Sequence, residues 1–142
     1  LKKNKKMYNI LFMTRIYDMK VIIAKYILII ISSIFYVIVG IKHFTDPNYF
    51  ISIVPPYLPY HLELVYISGF FEILFGVMIL IPKYRYWGAI GLILLLIAVF
   101  PANIFLAQNK EAQEAIGASQ QIALWRLPIQ GILIWIAYWI RK

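Results

Sequence analysis

The chain has 142 residues, 63% of them hydrophobic, with a mean hydropathy of +0.78 and a formal net charge of +8. Soluble domains are nearer about 45–50% apolar, so this is the composition of an integral membrane protein, and four crossings in one domain use nearly all of its length. There is no cysteine and there are only two histidines, far apart, which excludes thiol–disulfide chemistry and a thiolate site and argues against a protein-held haem or zinc; no metal or covalent cofactor is expected.

The basic residues flank apolar segments, a placement suited to topology and anionic headgroups rather than to nucleic acid. Residues 1–18 read as a basic tail with Lys2, Lys3, Lys5, Lys6 and Arg15. Met19-Lys20, directly before the first apolar run, also reads as a natural start, which would leave residues 1–18 outside the native protein. If they belong to it, the stretch 7–17 is expected on the inner membrane surface. The first span is expected over about 21–41. It has no small-residue cleavage site and three more apolar runs follow, so it is a permanent span rather than a signal sequence. Lys25, near its inner end, can snorkel. Ser32, Tyr36, Gly40 and His43 recur at helical spacing and make one mildly polar face, whose plainest role is packing.

Asp46-Pro47 then has the form of a helix start, an N-cap followed by proline at the first helical position. Tyr49, Phe50, Ile53 and Val54 give a short helix an apolar face, and Pro55-Pro56 ends it. Its aromatic residues suit the headgroup level, so an interfacial or re-entrant segment is expected.

The second span, about 61–81, contains Ser68-Gly-Phe-Phe-Glu-Ile-Leu-Phe-Gly76, with Glu72 at the centre. A charge there costs roughly 2.5–3.5 kcal/mol on insertion scales, so the carboxylate is expected to face a partner helix or a wet cavity. Gly69 and Gly76 lie at i−3 and i+4, share its face, and let a neighbouring backbone come close. Pro82 and the basic turn Lys83-Tyr-Arg85 follow. The third span, about 86–107, is interrupted by Pro101, which frees the carbonyl of Ile97 and is expected to kink the helix. Asn103, two residues on, is placed to bond freed backbone. Residues 108–120 are polar but rich in Ala, Gln and Glu, so the third helix is expected to project until Gly117 caps it. The fourth span, about 121–140, carries Arg126 and Gln130 at i, i+4 around Pro128. Trp125, Trp135, Tyr138 and Trp139 are expected to mark the two interfaces.

The tail with the start of the first span, the 83–85 turn and the C-terminus hold 11 of the 14 Lys and Arg, which predicts cytoplasmic N- and C-termini. His43, Asn103, Arg126 and Gln130 then fall near the outer ends of their helices. Glu72, 11 residues into the second helix from His61, lies about 16 Å deep. The expected fold is therefore an all-α, integral membrane four-helix bundle with a short interfacial helix between spans one and two. A cavity opening toward the outer leaflet is expected to collect these five residues, with Glu72 and Arg126 paired directly or through water.

Val39-Gly-Ile-Lys-His-Phe44, Val54-Pro-Pro-Tyr-Leu-Pro59, Ser68-Gly-Phe-Phe-Glu72, Phe100-Pro-Ala-Asn103 and Arg126-Leu-Pro-Ile-Gln130, in this order on four spans, resemble the DoxX family of small bacterial membrane proteins. The resemblance covers about residues 19–142, and the ordered set is more specific than any one motif. It implies a setting: the bacterial cell (inner) membrane and association with respiratory or oxidative-stress redox complexes that handle quinones.

Three functions follow as expectations. In the first, the chain is an accessory subunit that binds a quinone or similar lipid-like ligand. Glu72 is the catalytic proton donor or acceptor and His43 a second proton group; Arg126, Asn103 and Gln130 bind carbonyl oxygens, and Tyr36 belongs to the same ligand-binding set. No electron carrier is encoded, so electrons must come from a partner redox protein, and the chain reads more as an accessory subunit of an oxidoreductase than as an enzyme alone. In the second, it is a small proton-coupled transporter, for which a homodimer is required. In the third, it is a packing or assembly subunit whose buried polar network fixes helix register. Membrane lipids are partners in all three.

Overall fold

A computed structural model describes residues 2–142, all helix and connecting turns with no strand among them. Leu1 and the side chains of residues 2–6 and Asn9 lie outside the description, and with them the expectation for the basic cluster at the start of the chain. The helices are α1 (Lys2–Thr45), α2 (Pro47–Ile51), α3 (His61–Met78), α4 (Arg85–Gln108), α5 (Lys110–Ala115) and α6 (Gln120–Ile140). Four of them, α1, α3, α4 and α6, are long and apolar enough to cross a bilayer. They pack in the order α1, α3, α4, α6, with α1 and α6 closing the ring; α2 rests on α3 and α1, and α5 on α4 and α6.

Two buried clusters hold this ring together. Ile29, Tyr36, Ile79, Ala89, Leu92, Leu96, Ala137 and Ile140 fill the half nearer the C-terminus of α6. Ile53, Leu106, Ala112 and Ala123 join the α2–α3 connection to α4, α5 and the start of α6. Close helix approach is set by small residues. A Cβ on Gly40 would stand 2.7 Å from the Gly69 carbonyl oxygen, and one on Gly69 would stand 2.5 Å from His43 Cβ. The same holds at the α3–α4 crossing, where a Cβ on Gly88 would lie 2.7 Å from Met78 Cβ. Gly69 therefore does admit a neighbouring backbone, and the neighbour is α1.

Several boundaries differ from the sequence-based expectation. The first helix is not confined to about 21–41 but runs unbroken from Lys2 to Thr45, because no glycine or proline interrupts residues 2–39. Its 44 residues make it about 66 Å long, well beyond the thickness of an apolar bilayer core. The second span stops at Met78 rather than 81. Residues 79–84 form turns, and the Ile79 carbonyl accepts a bond of 2.9 Å from Arg85 Nε. The third helix does not run on to Gly117. It ends at Gln108, and Asn109 starts α5, its side chain accepting from Ala112 N at 2.7 Å.

Gly117 does cap, but it caps α5. Its φ is +64°, and the bonds Gly117 N to Glu114 O (3.1 Å) and Ala118 N to Gln113 O (2.9 Å) make a Schellman motif. Asp46 stands at the N-cap position of α2 with Pro47 after it, yet its side chain makes no cap bond; its φ and ψ of −138° and 63° do not bring the carboxylate over the helix end.

Candidate functional site

Glu72 lies on the α3 face turned to α1, and the Gly40–Gly69 approach decides what it meets there. His43 Nδ1 is 3.4 Å from Glu72 Oε2, with the two side chains only 8% and 13% exposed. The same nitrogen is 2.9 Å from the Val39 carbonyl oxygen. A carbonyl can only accept, so Nδ1 carries the proton and directs it to Val39. Glu72 Oε2 is thereby left without a hydrogen-bond partner, and so is the hydroxyl of Tyr36, two helical turns before His43 on the same buried face. Buried polar atoms are nearly always bonded, so two unmatched oxygens on one face are unusual. The His43 ring is covered by Phe50 of α2, with ring centroids 3.6 Å apart and planes 22° from parallel.

On the opposite wall, α4 and α6 are joined by a chain of side-chain bonds. Arg126 Nε donates to Asn103 Oδ1 at 3.2 Å, and Asn103 Nδ2 donates to Gln130 Oε1 at 2.8 Å. Gln130 Nε2 donates to the Leu96 carbonyl. Pro101 sits inside α4 with no N–H for Ile97, and the carbonyl next to that one, Leu96, is the acceptor bonded from another helix. The amide that reaches this stretch is Gln130, from α6, rather than Asn103 as the sequence suggested. At its other end the chain continues from Arg126 Nη1 to the Tyr49 hydroxyl at 3.5 Å.

Both walls face one cavity of about 610 Å³. Tyr36, His43, Glu72, Asn103, Arg126 and Gln130 all line it, so the six candidate residues read from the sequence share one space. The remaining walls are mostly apolar, among them Phe35, Val39, Ile53, Leu96, Val99 and Leu133. This size and lining are typical of sites for small, largely apolar molecules held by a few polar groups. Of the two ways in which Glu72 and Arg126 were expected to pair, directly or through water, the direct contact does not form among the described residues. Among the described residues the close side-chain contact of Glu72 is with His43, because α3 packs on α1 rather than on α6.

Four contributors were not singled out from the sequence. Phe50 and Tyr49 read only as interfacial aromatics, yet they touch His43 and Arg126. Arg85 read as a topology signal but is buried, bonds the Ile79 carbonyl and lies 5.5 Å over the Tyr26 ring. Gln113 read only as part of a polar, helix-favouring stretch but is buried, and its amide donates to the Leu106 and Ala107 carbonyls at 2.9 and 3.3 Å, closing the end of α4. For Tyr49 and Phe50 the available signal was their place on a short helix directly after His43.

Residues 32–141 match the family described as Domain of unknown function (DUF8561). The chain belongs to that family. The DUF8561 stretch contains the whole cavity lining and leaves out residues 1–31, the first two-thirds of α1. No curated protein and no solved structure matches the chain.

Proposed function

We propose that this chain is a multi-pass membrane protein that holds a lipid-like molecule, a quinone being the specific candidate, in the cavity around Glu72. It works as an accessory subunit to a redox partner. The observation that carries the reading is the pair of buried, unmatched oxygens, Glu72 Oε2 and Tyr36 Oη, on the wall of a largely apolar cavity of about 610 Å³. A ligand hydroxyl seated there could donate to Glu72 Oε2 or accept from the Tyr36 hydroxyl, a ligand carbonyl could accept from Tyr36 or from a protonated Glu72, and the carboxyl could exchange a proton with either.

Membrane insertion is supported by the outward faces. Ile23, Ile30, Ile34, Phe70, Leu94, Ile97 and Ile132 are exposed along the four long helices, a far larger apolar surface than a soluble monomer shows. In the proposed arrangement α2 lies at the headgroup level, both termini are cytoplasmic, and the cavity is on the outer side of a bacterial inner membrane. The DoxX resemblance of the ordered motifs supports that setting and the redox partner.

A structural role has its own support. The Asn103 and Gln130 amides are bonded within the protein, which is how packing glue between helices behaves. The deciding experiment is gentle-detergent purification with mass spectrometry of co-purified lipids and quinones, wild type against Glu72→Gln. A quinone or lipid enriched over the bulk extract in the wild type and lost from a folded variant supports the proposal. A wild-type protein that carries nothing above bulk lipid leaves the packing role.

A further inference from the structure

Arg126 in the cavity wall is bonded through only part of its guanidinium. A guanidinium offers five N–H donors. Nε donates to Asn103 and one Nη1 hydrogen is directed at Tyr49, which leaves three without a protein acceptor among the described residues. Asp46 and Glu72 also line the cavity, as does the cation Lys42, but neither carboxylate comes within ion-pairing distance of Arg126; Glu72 instead lies 3.4 Å from His43. The fork is nonetheless held in place. Asn103 fixes its Nε edge, and Asn103 is itself fixed by Gln130. Tyr49, accepting from Nη1, has its own hydroxyl hydrogen free to donate alongside. An oriented fork with an adjacent hydroxyl donor is the arrangement that binds a carboxylate or phosphate in two-pronged fashion. A half-buried guanidinium without a counter-charge also favours any anion that reaches it.

We infer that the cavity selects amphiphiles with an anionic head, a carboxylate or a phosphate carried on an apolar tail, and that Arg126 with Tyr49 is the head-binding site. This rests on the proposed lipid-like occupancy of the cavity and narrows the occupant to acidic amphiphiles over a neutral quinone. The apolar walls beside Arg126, including Ile129, Leu133 and Val99, take the tail. Free anions lack that contribution.

The test titrates three probes into the full chain in neutral maltoside micelles by calorimetry, with empty-micelle titrations subtracted: decyl phosphate, decanol and inorganic phosphate. Decyl phosphate is expected to bind at least about tenfold more tightly than decanol, the scale of one charge-assisted contact, and inorganic phosphate not to saturate. Arg126→Gln is expected to close the gap between decyl phosphate and decanol, with a circular dichroism spectrum matching the wild type as the check that the fold is intact. Should circular dichroism show Arg126→Gln unfolded, Arg126→Lys and Tyr49→Phe take its place, each expected to narrow the gap between decyl phosphate and decanol severalfold.

Equal affinity for decanol and decyl phosphate overturns the inference and leaves the lipid-like reading standing. So does a preference that survives the Arg126 and Tyr49 substitutions. Inorganic phosphate binding as tightly as decyl phosphate overturns it too, by removing the tail. If neither amphiphile binds the wild type, the lipid-like occupancy itself fails and this inference with it.

Discussion

Replacing Gly69 with alanine tests the contact on which the Glu72 wall depends. The new methyl carbon would stand 2.5 Å from His43 Cβ and 2.9 Å from the Gly40 carbonyl oxygen. Carbon atoms rest at about 3.5–4.0 Å, so the first contact is short by roughly 1.0–1.5 Å. Neither neighbour is the free end of a flexible side chain, and the strain has to be relieved by moving α1 away from α3. Overpacking of this kind costs about 1–3 kcal/mol, against which alanine regains about 0.5–1 kcal/mol of helix propensity. Taking the upper end, because two contacts are violated at once, the net loss is about 2 kcal/mol, or roughly thirtyfold in the unfolding equilibrium.

Gly131→Ala is the matched control: nothing lies within 4 Å of a Cβ there, so only the propensity gain of about 0.5–1 kcal/mol remains. Both variants would be unfolded by SDS titration from mixed micelles and followed by circular dichroism. Gly69→Ala should unfold at a lower SDS fraction than wild type, and Gly131→Ala at the same or a higher one. Coincident transitions for the two variants would show that the α1–α3 approach is not what the structure has it to be.

Asn103 and Gln130 should be energetically coupled, since each amide completes the other's bonding. A double-mutant cycle with Asn103→Ala and Gln130→Ala is expected to give a coupling of about 0.6–1.7 kcal/mol, and strictly additive single costs would contradict the bond between them. Gln113→Ala should expose the carbonyls of Leu106 and Ala107, so hydrogen exchange is expected to quicken in α5 and the last turn of α4 with α1 and α3 unchanged. A uniform increase would mean that Gln113 has no local role. Tyr60 is the non-glycine residue with positive φ among the described residues, at 57°, and its side chain is exposed. Tyr60→Gly relieves about 1–2 kcal/mol of left-handed strain and adds about 0.5–1 kcal/mol of chain entropy, so the same SDS titration should show unchanged or improved stability. A clear loss would mean that Tyr60 makes a contact of its own.

The four long helices were legible because apolar runs and their proline breaks are properties of contiguous sequence. The candidate set was legible for a related reason: a carboxylate, a guanidinium and amides inside apolar runs stand out residue by residue, and all six line the cavity. What could not be read was adjacency. Whether Glu72 meets His43 or Arg126 depends on which helix packs against α3, and that is settled by the fit of Gly40 to Gly69 across 29 positions of chain. The reach of Gln113 back to α4 was hidden for a similar reason. It depends on Asn109 breaking the helix and turning α5 so that a glutamine of this polar stretch points inward. The continuity of α1 was missed because composition changes near residue 20 while helix-forming capacity does not.

The stretch 101–108 of α4 is anchored at both ends by side chains from other helices. Gln130 of α6 is bonded at Leu96, below the proline, and to Asn103 just above it; Gln113 of α5 holds Leu106 and Ala107 at the tip. A proline within a helix ordinarily provides a joint about which the upper portion can swing. Here the joint is cross-braced, and tilting that portion alone would break bonds at three carbonyl or amide groups together. The upper third of α4 is therefore mechanically part of the α5–α6 corner, and it moves with that corner as one rigid piece.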